Sequence, residues 1–191
     1  MLSLHAINDL PGALIQMRRA LKPDGLFMGA LFGGETLNEL REALLTAESE
    51  LTGGITPRVS PFADVRDLGA LLQRAGFALP VADVERTTVR YGEFTRLVDD
   101  LRALGETNVL YRRSRNFLRR DVLAAALSHY RQAHAEPDGR LRATFDILYL
   151  TGWAPHESQQ RPMRPGTAKT RLADALGTEE HSAGEKVEKP R

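Results

Sequence analysis

The chain contains no cysteine among its 191 residues. This absence excludes disulfide bonds, thiolate nucleophiles, and zinc or iron–sulfur sites with cysteine ligands. Charge of one sign is also lacking: 26 Lys and Arg residues balance 25 Asp and Glu residues, which leaves a net charge of +1. Because no overall field attracts polyanions, we expect no nucleic-acid partner. No apolar run is long enough to cross a bilayer, so we predict no membrane span and a cytoplasmic location.

Apolar residues at helical spacing alternate with apolar or β-branched runs along most of the chain. The uncharged run Leu26–Phe32 is typical of a strand covered on both faces, which favours a parallel sheet between helices. Thr36 and Glu39 have the spacing of a capping box at a helix start. Asp64 is expected to cap the next helix and Gly76 to end it. The predicted helices cover about residues 10–21, 37–51, 64–76, 94–105 and 118–130, and the predicted strands cover 26–32, 79–91 and 142–155.

The composition divides the chain into two regions. We predict that residues 1–155 form a partial α/β domain with a helical insertion at about 92–135. After Trp153 the chain has no aromatic residue and is rich in Pro, Gly, Lys and Glu. We therefore predict a mostly disordered tail over residues 156–191, with one short helix around 171–176.

Several motifs are more specific than this alternation: LHxxNDLPGAL near the start, then GGETLxELR, PRVSPF, LRALGETN and LTGWAPH. With them the chain resembles the class I S-adenosylmethionine-dependent methyltransferases, over roughly residues 2–176. It is similar to one subgroup in particular. That subgroup contains the malonyl-carrier-protein methyltransferase of biotin synthesis and the respiratory complex I assembly factor, which is described as hydroxylating an arginine.

The resemblance implies the fold. We expect the C-terminal half of a doubly wound, Rossmann-like α/β sheet, with strands in the order 4-5-7-6, helices on both faces, and a helical insertion between the last two strands. The superfamily binds S-adenosylmethionine through a Gly-rich loop after its first strand. Here Gly33-Gly34 and Gly53-Gly54 follow the fifth strand and its helix instead. We therefore expect this chain alone to bind the cofactor weakly or not at all.

The resemblance also places the first residues at the end of the fourth strand. Such a strand would expose an apolar edge, which a partner chain would have to cover. A truncated gene model and a fragment that needs a partner are the favoured explanations for this start, and a naturally autonomous protein is the third.

Ligands bind at the carboxyl ends of the strands in sheets of this kind. The resemblance therefore implies that Ser3, Leu4 and His5 form the edge of the cofactor site, and it makes His5 the candidate catalytic residue. His5 would line the methyl-transfer site or orient a ligand through a hydrogen bond. The alternative is that His5 packs against the following helix and bonds the backbone. His129 and His134 are off the i, i+4 spacing of paired ligands, so we predict no metal site.

Four residues of loops and the insertion are candidates for substrate binding: Arg58, Asn108, Tyr111 and Arg112. The last two begin the run YRRSRNFLRR, residues 111–120, which holds five arginines. Guanidinium groups there could hold a carboxylate, a phosphopantetheine phosphate or an acidic partner surface.

The alternative for the same run is a solvated helix start. Its arginines would then pair with Asp99, Asp100 and Glu106.

Three functions follow as hypotheses. The first is the substrate-side half of a methyltransferase-like protein, incomplete and inactive alone, with a protein or acyl-carrier-type substrate. The second is a factor like the complex I assembly protein, which binds a protein partner or hydroxylates an arginine. The third is an interaction module without catalysis.

Overall fold

The computed structural model describes residues 2–111, 113–160, 167, 170–179 and 181. They divide into two compact units, Met1–Glu157 and Ser158–Arg191. The first unit contains α1 (Leu10–Ala20), β1 (Leu26–Gly33), α2 (Asn38–Thr52), α3 (Val65–Ala75), β2 (Ala78–Tyr91), α4 (Phe94–Ala103), α5 (Arg120–His134) and β3 (Leu141–Trp153).

The ends of α3 illustrate how local sequence sets these boundaries. The Asp64 carboxylate accepts a hydrogen bond from the Arg66 N–H at 2.8 Å, so it satisfies one of the free donors at the helix start. Gly76 follows the helix with a φ of +83°, and the N–H of Phe77 then donates to the Leu72 carbonyl at 3.1 Å. The predicted cap and the predicted glycine stop are both confirmed.

The three strands form one antiparallel sheet in the order β1-β3-β2. β3 is the central strand and pairs with β1 along its second half and with β2 along nearly its whole length. Asp146 in β3 lies opposite Gly33 of β1 and Arg86 of β2. This register places the side chains of Asp146 and Arg86 next to each other at the middle of the sheet, with the backbone of Gly33 on the other side of Asp146.

Helices cover both faces of the sheet, which gives the α/β fold that the sequence predicts. On one face, α1 and α3 pack against a core that includes Leu31, Leu148 and Leu150. On the other face, α2, α4 and α5 pack against Phe32 and Phe145. Neighbouring residues of β3 thus enter different cores, because successive side chains of a strand point to opposite faces.

Two details of the predicted sheet are wrong. β1 pairs antiparallel with β3 rather than lying in a parallel sheet. Helices bury its second half, Leu31–Gly33, on both faces, whereas Leu26 and Met28 remain 41% and 71% exposed. Burial between helices does not depend on strand direction. The residues assigned to the end of a fourth strand form instead a short 3-10 turn, Leu4–Ala6.

The turn begins where the backbone leaves the extended region. Leu2 has a φ of +53°, and the Ser3 carbonyl accepts the Ala6 N–H at 3.1 Å. Leu4 packs against the core of α1 and α3 rather than pairing in the sheet. The exposed edge predicted for a fourth strand is therefore not found at these residues.

The second unit is described only in part. It contains α6, Leu172–Leu176, at the position of the predicted short helix. Residues 161–166, 168–169, 180 and 182–191 of the predicted disordered tail lie outside the described residues. None of the helices described combines the length and the hydrophobicity that crossing a membrane requires.

Candidate functional site

His5 lies in the 3-10 turn Leu4–Ala6, and two phenyl rings fix its position. Its ring centroid is 5.4 Å from that of Phe32 at the end of β1 and 5.7 Å from that of Phe62. The His5 side chain is only 9% exposed. Its Nε2 lies 3.0 and 3.1 Å from the two carboxylate oxygens of Glu106. The expected hydrogen bond to the backbone is replaced by this side-chain pair.

The end of α4 places Glu106 opposite the histidine. Gly105 has a φ of +80° and donates its N–H to the Arg102 carbonyl at 3.0 Å. The N–H of Glu106 reaches back to the Leu101 carbonyl at 2.8 Å. These two bonds form the motif that commonly ends a helix at glycine, and they turn the chain sharply. The Glu106 side chain is held at this turn and stays 26% exposed.

The bond to Glu106 sets which nitrogen of a neutral His5 carries the proton. A neutral imidazole carries one N–H, and the bond to a carboxylate requires it on Nε2. The other ring nitrogen, Nδ1, is buried and has no hydrogen-bond partner among the described residues. His5 thus donates to Glu106, while its free lone pair has no access to solvent.

His5 and Glu106 both line a cleft of about 340 Å³. Its other walls are residues 2–3 and 6–8, Ser60 and Pro61, and residues 104–111 except 106 and 108. Three of the lining side chains are ionisable: His5, Glu106 and Tyr111. Within the described part of the chain, no Lys or Arg lines the cleft. A ligand in the cleft therefore meets one carboxylate and no guanidinium or ammonium group from these walls.

The structure brings part of the predicted site together. Ser3 and His5 line the cleft, and so does Tyr111, which is 92% exposed. Leu4 does not line it, because its side chain packs against the core of α1 and α3. The roles of these residues in catalysis and in cofactor binding remain predictions.

The other predicted substrate-binding residues lie elsewhere. Asn108 donates to the Pro57 carbonyl at 2.8 Å and so ties two loops together. Arg58 places its Nε 2.6 Å from a carboxylate oxygen of Glu48. Neither side chain lines the cleft, and Arg112 lies outside the described residues. Their binding of substrate stays a prediction.

Glu48 explains why Arg58 is not free to reach the cleft. Burial by itself would raise the pKa of Glu48, but hydrogen bonds from Thr56 and from Arg58 outweigh it and hold the pKa below its usual value. The Glu48 side chain is 5% exposed, so its charge needs these partners. The guanidinium of Arg58 is accordingly part of the loop's own structure.

The sequence did not indicate Glu106 as a member of the site, but only as a partner for the arginines of residues 111–120. Glu106 and His5 are 101 positions apart, so no periodicity or motif links them. The one local signal is the Gly105-Glu106 pair after α4, because a glycine stop fixes the direction of the residue that follows it.

The described residues do not by themselves fit S-adenosylmethionine. The glycine pairs would have to offer free backbone donors, but Gly34 donates to the Ala63 carbonyl and Gly53 to the Ser49 carbonyl. Gly54 donates to the Thr52 hydroxyl at 3.4 Å. The one carboxylate in the cleft, on Glu106, already holds His5.

Sequence comparisons find clear relatives, although no family model matches. The chain is 46% identical over 173 residues to the mitochondrial arginine-hydroxylase NDUFAF5 of Danio rerio, covering 91% of the chain and 54% of that protein. It is 48% identical over 167 residues to the Homo sapiens protein of the same name, covering 87% of the chain and 48% of that protein. It is also 38% identical over 154 residues to the malonyl-[acyl-carrier protein] O-methyltransferase of Nitrosospira multiformis, covering 81% of the chain and 48% of that protein.

The predicted resemblance is confirmed. Homologues of this chain are arginine hydroxylases of the NDUFAF5 type and malonyl-carrier-protein methyltransferases. The chain spans about half the length of the curated relatives it matches. Among solved structures, the YcgJ protein of Bacillus subtilis matches with a TM-score of 0.47 and 13% identity, covering 81% of this chain and 62% of that one.

Proposed function

We propose that this chain is the substrate-side part of a methyltransferase-like protein, and that its cleft receives the side chain of an arginine in a partner protein. The observation that carries the proposal is the carboxylate of Glu106, held by His5 in a cleft whose described walls have no lysine or arginine. The relatives that are 46% and 48% identical are named arginine hydroxylases. We extend that substrate class, and the corresponding reaction, to the protein to which this chain contributes.

The geometry of Glu106 suits a guanidinium. His5 bonds both carboxylate oxygens through one nitrogen, but an ionised carboxylate has about four lone-pair positions. The free positions lie on a side chain that is 26% exposed. A guanidinium can use two of them with parallel N–H groups, which is the geometry of a bidentate ion pair.

In this proposal His5 positions Glu106 rather than removing a proton from the substrate. Its Nε2 is committed to the carboxylate, and its Nδ1 is buried. A general base must lie within hydrogen-bond reach of the proton that it takes. The catalytic role predicted for His5 is thus replaced by orientation of the carboxylate.

Methyl transfer is the second candidate function. The relatives that are 38% and 39% identical are named malonyl-carrier-protein O-methyltransferases, and the family chemistry needs little beyond positioning of the acceptor. A malonyl group, however, brings a negative charge. In the cleft it would approach Glu106 without a lysine or arginine among the described walls to offset the repulsion.

The two candidates differ in the ligand that they expect. In NMR titrations of the isotope-labelled 191-residue chain, N-acetyl-arginine amide should bind about tenfold more tightly than N-acetyl-citrulline amide, because hydrogen bonds to charged groups contribute about 1.5–3 kcal/mol. Citrulline has the same shape as arginine but no charge. Monomethyl malonate should not bind. A preference for malonate over arginine would instead favour the second candidate.

Two variants locate the arginine site. Glu106→Gln should abolish the preference for arginine over citrulline. Glu50→Gln is the matched control, because Glu50 also pairs with a histidine, His129 at 2.9 Å, but on α2 and away from the cleft. If Glu106→Gln leaves the preference unchanged, Glu106 is not the arginine-binding group.

We also propose that the chain alone is inactive, because its described residues do not form a cofactor cradle. Calorimetric titration with S-adenosylmethionine should give no saturable heat up to about 1 mM, which corresponds to a binding free energy weaker than about −4 kcal/mol. Monodispersity should be checked beforehand. Saturable binding in the micromolar range would contradict this proposal, since it would require a cradle formed by this chain or by a dimer of it.

A further inference from the structure

The loop that follows the cleft is unusually basic. Its exposed arginines are Arg113, Arg115, Arg119 and Arg120, and within residues 111–120 no acidic residue accompanies them. We call these four residues the basic rim.

The acidic residues that could neutralise the basic rim are paired elsewhere. Asp99 pairs with Arg102 on α4, with 3.7 Å between the charged atoms. Asp100 accepts a hydrogen bond from Tyr91, which contributes to raising the pKa of Tyr91 to about 12 after the larger effect of burial. Glu106 holds His5. None of the four arginines of the basic rim, all of them described, therefore pairs with these three acids.

Only one arginine of the basic rim has an ion pair within the described part of the chain. Arg119 pairs with Asp121 at the start of α5. Arg113, Arg115 and Arg120 have no carboxylate partner among the described residues. Three positive charges are thus available to a partner in solution.

The basic rim begins at the mouth of the cleft. Leu110 and Tyr111 line the cleft. The backbone N–H of Arg113 donates to the Leu110 carbonyl at 3.1 Å, and its guanidinium donates to the same oxygen at 3.0 Å. These two hydrogen bonds hold Arg113 next to Leu110, a residue of the cleft wall, and Arg115 follows two residues later.

Positive charge beside a site for an arginine can set the specificity of that site. It weakens the binding of an arginine that arrives alone relative to one that carries negative charges beside it. We propose that the basic rim binds acidic residues that flank the substrate arginine in the partner protein. This inference rests on the proposed function, because it places the arginine itself at Glu106.

Three short dye-labelled peptides test the inference by fluorescence anisotropy with the 191-residue chain. The first has one arginine among glycine and serine, the second has the same arginine between aspartate and glutamate residues, and the third is the second with citrulline in place of arginine. The second should bind about tenfold more tightly than the first, as two or three exposed ion pairs permit. This difference should shrink in about 0.5 M salt, where charges are screened within a few ångströms.

A charge-reversal pair assigns the effect to the rim. Arg113→Glu with Arg115→Glu should bring the second peptide to the affinity of the first. The matched control is Arg66→Glu with Arg74→Glu, which changes the net charge equally on α3, a helix packed on the opposite face of the sheet from α4 and α5. The control should keep the preference for the acidic peptide.

Other binding results would contradict either the basic rim or the arginine site. Equal affinity for the first and second peptides, or no binding of any peptide, overturns the inference. Loss of the preference in both double variants also overturns it, because the effect would then come from net charge. If the citrulline peptide binds as tightly as its arginine counterpart and only the rim variant weakens both, the basic rim stands and the arginine site at Glu106 fails.

Discussion

Replacing Arg86 with alanine should destabilise the fold by about 2 kcal/mol at pH 7. Arg86 donates two hydrogen bonds, of 2.7 and 2.9 Å, to the carboxylate of Asp146. The Asp146 side chain is 3% exposed, whereas that of Arg86 is 58% exposed. Removing the arginine leaves a buried charge with one remaining donor, the N–H of Glu35 at 3.0 Å. Breaking a buried pair costs about 3–5 kcal/mol, and we lower that figure because solvent reaches Arg86.

The effect of this substitution should depend on pH. The hydrogen bond from Arg86 holds the pKa of Asp146 below its ordinary 3.8, although burial opposes the shift. In the native chain the ionised carboxylate therefore stabilises the fold above that ordinary value, and the contribution is lost as the pH falls through the lowered pKa. Without Arg86, burial should raise the pKa of Asp146. The deficit of the variant should then be largest at neutral pH and smaller near pH 4, where the carboxyl group takes up its proton.

Urea unfolding followed by circular dichroism measures both effects. Arg90→Ala is the matched control, because Arg90 lies on the same strand, is 59% exposed, and is 4.0 Å from its partner Glu136. Its loss should cost less than about 1 kcal/mol. An equal loss for both variants at pH 7, or a deficit of Arg86→Ala that does not change with pH, would show that Asp146 does not depend on this arginine.

The sequence predicts the elements of this fold better than the contacts between them. Periodicity and caps locate the helices because both are set by residues within a few positions of each other, as for Asp64 and Gly76 around α3. Strand direction is not local. The apolar run of β1 predicts burial on both faces, but helices bury both faces of its second half only, and such burial is possible for either direction of pairing.

The candidate site shows the same limit. His5 could be identified from its motif, but its partner Glu106 comes from the end of a distant helix. The arginines of residues 111–120 could be identified as a charge cluster, but their freedom from the neighbouring acids depends on Asp99, Asp100 and Glu106 having other partners. The sequence thus shows which side chains could bind a ligand, whereas only the fold shows which other side chains they pair with.

Thr36 and Glu39 also have partners that their spacing in the sequence does not predict. Their spacing predicts a capping box for α2, yet Leu37 occupies the cap position with a φ of +54° and no side-chain cap. Both polar side chains turn inward to β3: the Thr36 hydroxyl accepts the Asp146 N–H at 3.0 Å, and the Glu39 carboxylate accepts the Thr144 N–H at 3.1 Å. These residues therefore join the helix to the sheet instead of closing its end.

Glu39→Ala should consequently destabilise the fold by about 3 kcal/mol, more than any cap would explain. Glu39 is 1% exposed and accepts both the N–H and the hydroxyl of Thr144, with Arg142 at 3.4 Å. The alanine leaves these buried donors unpaired and opens a cavity between α2 and β3.

The comparison that isolates this role is Glu42→Ala, one turn along the same helix. Glu42 is 67% exposed and pairs with His134 at 3.1 Å, so its loss should cost no more than about 1 kcal/mol. Glu39→Gln should fall between the two, because the amide oxygen can still accept one bond from Thr144. Urea unfolding at pH 7 gives all three values. Removing a buried acceptor that stabilises the fold lowers the free energy of unfolding more than removing an exposed one. If Glu39→Ala and Glu42→Ala lowered it equally, the bonds to Thr144 would not hold α2 on the sheet.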